Sequence, residues 1–326
     1  MNGGASHPGF AHGFDFDPAC GCSEAELLAI APPSAPPGFD AFWMDAFAIW
    51  ARLEKKLTYV PLPSPSSRHA LVRVDADAWE GIRIGAWLVA PVSGKVVRGV
   101  VVGHGYGGRS GPDLREPEPG TAIIYPCAPG FDLSARVDLP SVSDQHVLHG
   151  IATRDSYLIR ACVASMWSAA SVLMDRYPGI THLSYEGGSF GGGLGALALP
   201  WDARFHSAAL IVPTFGHHPW RLRCPSIGSG EAVRRYHRDH PQVMEVLAFY
   251  DAATAAARIR IPTLVAPARF DPAVAPPGQF AVANALVHRK LLVLSAGHFA
   301  YPAQAQEEAS LRAAIDGWQQ LPGRGG

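Results

Sequence analysis

Gly187-Gly188-Ser189-Phe190-Gly191 sets a serine in a G-x-S-x-G pattern. A lone serine hydroxyl is a weak nucleophile and needs a base to take its proton. The pattern gains meaning from its setting. Thr181 to Glu186 has the composition of a short strand, and Gly193 to Leu199 that of a helix. Ser189 therefore belongs at a sharp strand-to-helix turn. Such a turn forces unusual backbone angles on the serine, and flanking glycines remove the Cβ clashes that would forbid it. The helix N-terminus then offers free N–H groups to a developing oxyanion. A glycine-rich loop without chemistry is the plain alternative, and the strand–turn–helix context weighs against it.

Partners for the serine lie downstream. Asp271 follows the strand Thr263 to Val265, in Arg269-Phe270-Asp271-Pro272. His298 follows the strand Lys290 to Leu294, in Ser295-Ala296-Gly297-His298-Phe299. The chain order Ser, Asp, His is that of serine hydrolases built on an open α/β sheet, and both residues fall beyond strand C-termini, where such sheets place their sites. His298 would take the Ser189 proton and return it to the leaving group, while Asp271 would fix the imidazole tautomer. A turn cap before Pro272 and an ordinary loop histidine are the competing structural roles. The loop His104-Gly105-Tyr106-Gly107-Gly108 follows the apolar strand Val96 to Gly103. It can aim a second backbone N–H at the site, so the N–H groups of Tyr106 and Phe190 are the expected oxyanion donors.

Other groupings offer less. His146 with His149, His217-His218, and His237 with His240 lack a His-Glu-x-x-His spacing, and they read as polar loop histidines rather than metal ligands. Cys20-x-Cys22 has no partner pair and reads as two free thiols. Gly103, Gly105 and Gly108 fit a dinucleotide spacing, but no acidic residue ends a second strand about 20 residues on. No metal and no cofactor is expected.

The elements that must position these residues follow from periodicity. Leu71 to Val74 and Ile82 to Val89 resemble an antiparallel lead-in. Thr121 to Tyr125, Ala208 to Val212 and Pro262 to Val265 add further strands, and Phe39 to Lys56, Asp155 to Tyr177 and Glu307 to Gln320 are helical by spacing. Alternating strands and helices imply right-handed crossovers and a doubly wound, mostly parallel sheet, the α/β-hydrolase fold. Residues 1–38 form a Pro-rich N-terminal arm expected to lie over the surface or to be partly disordered. Residues 39–326 make the hydrolase domain, and 213–258 form a helical insert expected to act as a small cap.

Composition bounds the rest. The 326 residues suffice for one α/β domain of roughly 250–300 residues. Charge is balanced, 27 Lys and Arg against 28 Asp and Glu, so no basic field exists to hold nucleic acid. No run approaches 18 apolar residues, so no membrane span is expected. The N-terminus lacks a basic start followed by an apolar run, and five scattered cysteines do not suggest a disulfide framework, which makes a cytoplasmic location the expectation.

Several segments together resemble the acetyl xylan esterase and cephalosporin C deacetylase family of carbohydrate esterases. They are Phe39-Asp40-Ala41-Phe42-Trp43, Gly81 to Pro91, His104-Gly105-Tyr106, His149-Gly150-Ile151 through Arg160, Gly187 to Gly193, and Asp271 with Pro276-Pro277. The resemblance runs from about Phe39 to the C-terminus. It implies Ser189, Asp271 and His298 as nucleophile, acid and base, with Tyr106 and Phe190 N–H groups as the oxyanion hole. It also implies removal of short acyl groups, acetyl above all, from a small carbohydrate or natural-product alcohol, and a homo-oligomer such as a hexamer. Three positions depart from the family. Phe190 stands for Gln, Pro129-Gly130-Phe131 for Arg-Gly-Gln, and Phe299 for Glu. Phe131 and Phe299 are therefore expected to line a substrate pocket drier than a sugar ester wants. A peptidase, lactonase or acyltransferase using the same three residues is the rival enzyme, and a non-catalytic binding protein on this scaffold the rival from another class.

Overall fold

A computed structural model describes residues 9–54, 56–113 and 116–320. The helices are α1 (Glu24–Ala29), α2 (Phe39–Arg52), α3 (Ser143–His146), α4 (Ile159–Arg176), α5 (Phe190–Ala198), α6 (His218–Arg223), α7 (Ser229–Asp239), α8 (Val243–Leu247), α9 (Ala252–Ala256), α10 (Pro276–Ala285) and α11 (Gln304–Gln319). The strands are β1 (Leu57–Leu62), β2 (His69–Trp79), β3 (Ile82–Pro91), β4 (Arg98–Gly103), β5 (Thr121–Pro126), β6 (His182–Gly188), β7 (Ser207–Ile211), β8 (Thr263–Ala266) and β9 (Arg289–Leu291).

The nine strands form one sheet in the order β1-β2-β3-β5-β4-β6-β7-β8-β9. β1, β2 and β3 pair antiparallel with their neighbours, and every pairing from β5 through β9 is parallel. This is the α/β-hydrolase fold. Apart from the exposed edge strand β9, the parallel strands are buried on both faces, and their apolar side chains alternate between two layers. Val101, Ile124, Leu183, Tyr185 and Leu210 join the large core beneath α2, α4 and α5. Val100, Val102, Ile123 and Tyr125 point the other way, with Trp87 and Cys127. Further along that second face, α11 lays Ile315 on Ala209 and Leu264.

β1 is the strand that periodicity missed. Pro61 lies next to its last residue, which argues against a central strand but suits an edge, where a missing N–H costs nothing. The connection between β4 and β5 has no helix among its described residues, so a loop covers that part of the second face.

The segment 213–258 carries α6 through α9. It is fastened to the body rather than hinged over it. Trp43 of α2, fully buried, donates its Nε1–H to the Phe249 carbonyl at 2.8 Å and meets the Tyr250 ring edge-on at 5.4 Å. The arm also has a fixed course from residue 9. Ser23 caps α1 and exchanges bonds with Glu26 in a capping box. Phe10 and Phe14 pack on Phe270 and Phe299, and the Asp271 N–H donates to the Pro18 carbonyl at 3.1 Å. The Pro-rich composition of residues 31–37 hides this, because the anchoring aromatics precede it.

Trp43→Ala removes a large buried ring and strands the Phe249 carbonyl. Chemical denaturation should show a loss of about 3–5 kcal/mol.

Candidate active site

Ser189 joins β6 to α5 with φ 53° and ψ −115°, a conformation costly for any residue with a Cβ. The surroundings hold it there. Its N–H donates to the Ile211 carbonyl at 2.8 Å, and its carbonyl accepts from Gly193 at 3.0 Å and Thr214 at 3.1 Å. The neighbouring glycines are required by space. A Cβ on Gly187 would come within 2.6 Å of the Gly191 carbonyl, and one on Gly191 within 2.7 Å of the Gly103 carbonyl.

The structure brings Ser189, His298 and Asp271 together. Ser189 Oγ lies 2.9 Å from His298 Nε2, and His298 Nδ1 lies 2.8 Å from Asp271 Oδ2. An ionised carboxylate only accepts, so Nδ1 carries the proton and donates to Asp271. That leaves the Nε2 lone pair facing the serine hydroxyl. The Asp271 side chain is wholly buried, and the His298 ring is partly exposed. Burial disfavours the imidazolium, but the hydrogen bond and charge of Asp271 outweigh it, so the His298 pKa is raised above the ordinary 6.5.

Four donors hold Asp271. Oδ1 accepts from the N–H groups of Ala273 and Val274, each at 2.9 Å. Oδ2 accepts from His298 and from Gln279 Nε2 at 2.9 Å. Gln279, fully buried on α10, also donates to the Val274 carbonyl at 2.6 Å and accepts from the Ala268 N–H at 2.8 Å. It thereby fixes both ends of the acid loop. Sequence reasoning missed it, because an amide eight residues from an aspartate has no signature. Gly297 completes the fit: a Cβ there would lie 2.4 Å from Asp271 Oδ2.

The oxyanion loop is held by His104. The Ala128 N–H donates to its Nε2 at 2.9 Å, so the proton sits on Nδ1, which donates to the Gly105 carbonyl at 2.7 Å. Burial lowers the His104 pKa, consistent with a neutral ring. Tyr106 follows in the turn. Its ring stacks on Phe190 at 4.1 Å, which aligns the two residues expected to donate N–H groups. Phe190 opens α5, so its N–H has no intrahelical acceptor.

Phe131 lies below this pair, buried against His104, Tyr106, His146 and Phe190. Phe299 packs against Phe10, Phe14 and Phe270. Neither lines the open groove of about 990 Å³ beside Ser189. That groove is bounded by the loop 103–113, Pro65, Leu71, Asp132 and Glu186. Its charged side chains are Arg109, Asp113, Asp132 and Glu186, so it is polar rather than dry. Phe131 instead builds the bed on which the loop 104–108 rests, while Phe299 lies under the rings of the arm.

Two histidines also differ from the reading as polar loop groups. His146 is fully buried, its Nε2 bonded to the Pro129 carbonyl at 2.9 Å, and burial lowers its pKa to about 4. His218 is buried with its pKa lowered to about 3. Both are neutral packing groups, which isolated polarity in the sequence cannot reveal. Among the described residues, no group of three or more His, Cys, Asp or Glu converges to hold a metal, and no helix is long and apolar enough to cross a membrane.

The fold and the chain of contacts from Ser189 through His298 to Asp271 have the form of an α/β hydrolase. The acetyl xylan esterase (AXE1) family profile matches residues 30–312, and the chain belongs to this family. Acetyl xylan esterase from Paenibacillus sp. R4 is similar in fold at 22% identity and TM-score 0.76, over 91% of this chain and 100% of that one. Acetyl xylan esterase 1 from Thermoanaerobacterium sp. JW/SL YS485 gives 18% identity and TM-score 0.77, over 90% and 99%. A puromycin-hydrolyzing peptidase of Mycobacterium tuberculosis aligns at 18% identity and TM-score 0.56, over 81% of this chain but 41% of its own. No curated protein sequence matches the chain.

A neutral imidazole is needed to accept the serine proton. Turnover should therefore fall as pH drops through the His298 pKa, on a limb lying above 6.5. Asp271→Asn removes the charge that raises that pKa and leaves burial, so the limb should move to lower pH as the rate drops on the order of 10⁴-fold. A kcat/KM profile against pH with p-nitrophenyl acetate reads both effects.

Proposed function

We propose that Ser189 attacks the carbonyl carbon of an acetyl ester while His298 Nε2 takes its proton. Asp271 stabilises the resulting imidazolium and holds its tautomer. The carbonyl oxygen becomes an oxyanion that accepts the N–H groups of Phe190 and Tyr106. Collapse breaks the bond to the alcohol, which leaves with the proton from His298. Water, deprotonated by the same imidazole, then attacks the acetyl carbonyl; the bond to Ser189 Oγ breaks, His298 returns the proton to that oxygen, and acetate is released. The observation that carries this reading is the 2.9 Å and 2.8 Å chain of contacts from Ser189 through His298 to Asp271, on a backbone held at φ 53°.

The alcohol is a small hydroxyl-bearing carbohydrate or natural product seated in the groove. Arg109, Asp113 and Asp132 on its walls are suited to hydroxyl groups and poorly suited to a long acyl chain. Beneath the oxyanion loop, Phe131, Phe190 and Phe215 fill the interior with buried rings, which supports a short acyl group. All five cysteines are free thiols, in keeping with a reducing, cytoplasmic compartment. Assembly into a homo-oligomer belongs to the same proposal and rests on the family resemblance.

Ser189→Ala should reduce p-nitrophenyl acetate turnover on the order of 10⁶-fold with the circular dichroism spectrum unchanged. Retained turnover, or no fluorophosphonate label on Ser189 in the folded wild type, would sink the assignment. Among p-nitrophenyl esters, acetate should be cleaved faster than octanoate; the reverse order would replace the deacetylase with an esterase for long acyl chains.

A further inference from the structure

His298 is held at φ 47°, a left-handed conformation that is costly for a residue with a Cβ and lasts only where its surroundings impose it. Glu307 of α11 pins both ends of the His298 loop, accepting from the Ser295 N–H at 2.9 Å and from the Tyr301 hydroxyl at 2.8 Å. On the inner side, the Gly297 N–H donates to the Phe270 carbonyl at 2.8 Å. The rings of Phe270 and Phe299 meet edge-on at 4.9 Å, so the residue before Asp271 packs on the residue after His298.

The arm supplies the outer side. Glu24 of α1 accepts from Arg269 Nη1 at 2.9 Å. Phe10 and His12 meet the Phe270 ring at 5.2 Å and 5.4 Å, and the Pro18 carbonyl accepts the Asp271 N–H at 3.1 Å. Three consecutive residues of the acid loop thus each have a partner in the arm. Phe10 also meets Phe299 at 5.7 Å and Tyr301 at 5.5 Å, and Phe14 meets Phe299 at 6.3 Å. The arm is tied down in turn. Asp17 accepts from the N–H groups of Ala19 at 2.9 Å and Gly21 at 2.7 Å, and Asn284 of α10 donates to the carbonyls of Leu27 at 2.9 Å and Ile30 at 3.0 Å. Residues 9–24 lie outside the stretch 30–312 that the family profile matches.

We propose that residues 9–24 are a positioning clamp for His298 and Asp271, in which Phe10 and Phe14 act through Phe299 and Phe270, and Pro18 through the Asp271 N–H. The clamp rests on the reading of Ser189, His298 and Asp271 given above. No described arm residue lines the groove beside Ser189, so the clamp does not reach the alcohol. Phe10 and Phe14 also stand outside the buried core clusters, so what they restrain is direction rather than the body of the fold. Asp271 keeps its four donors without them. His298 is less secured, because its backbone angle depends on the seat of the neighbouring Phe299. Without the two arm rings, Phe299 can shift and His298 can relax toward negative φ, which swings Nε2 away from Ser189 Oγ. A displacement of about 1 Å costs on the order of 10²-fold in rate.

The test compares Phe10→Ala/Phe14→Ala with Phe10→Tyr/Phe14→Tyr in the full-length chain. With p-nitrophenyl acetate, the alanine pair should lose on the order of 10²-fold in kcat with KM little changed. The tyrosine pair keeps the rings and should keep most of kcat. Hydrogen exchange read by mass spectrometry should quicken in peptides covering 268–275 and 295–301 and stay at the wild-type rate in β4 through β7. Phe14→Ala alone removes one half-buried ring; it should show the same pattern with a several-fold loss, and it serves if the pair does not fold. Wild-type kcat in the folded alanine variants, a loss carried by KM, an equal loss in the tyrosine pair, or faster exchange across the whole sheet would overturn the clamp. Failure of the underlying reading looks different. A Ser189→Ala chain with full turnover sinks the role of Ser189, while the exchange pattern still decides whether the arm holds the two loops.

Discussion

Everything at the site depends on one backbone residue held where a side chain is unwelcome. Ser189 takes positive φ between a strand and a helix, and neither element tolerates that angle on its own. The strain is met by three backbone hydrogen bonds from β7, α5 and the loop after β7, together with glycines at positions 187 and 191. The parallel sheet is therefore more than a platform. Its register, which pairs Gly187 with both Gly103 and Leu210, places the oxyanion loop on one side of the serine and the β7 loop on the other.

Around that residue, two sets of buried polar groups do different work. The Asp271 carboxylate is surrounded by donors from its own loop, from Gln279 and from His298, so its charge is fully met without water. The His104 ring satisfies two backbone groups and fixes the loop that carries Tyr106. The aromatic stack of Tyr106 on Phe190 then couples the loop after β4 to the start of α5. Phenylalanine at 190 and 131 is a packing choice that stiffens this coupling, while the groove beside Ser189 keeps its charged side chains.

The residues that meet at the site were legible because each stands beside punctuation: Ser189 among glycines, Asp271 before a proline, His298 after a glycine, all just past strands. The doubly wound, mostly parallel sheet followed from strand and helix alternation. What escaped reading depends on contacts across hundreds of positions. Gln279 matters only because α10 folds back on the acid loop. His146 and His218 look solvated in sequence and are buried in space. Phe131 and Phe299 were legible as apolar but not as facing away from the groove, since direction belongs to the loops that carry them. The arm's Pro-rich stretch concealed a run of aromatics with a defined seat.

That seat has a consequence for how the protein comes into being. The Pro18 carbonyl is made early in synthesis, and its partner, the Asp271 N–H, about 250 residues later. The serine turn, its sheet strands and the oxyanion loop can all form before the last third of the chain exists. The contacts of His298 and Asp271 cannot. A growing chain would thus carry a shaped serine turn, with aromatic rings of the arm still uncovered, until the loops of Asp271 and His298 close on the arm.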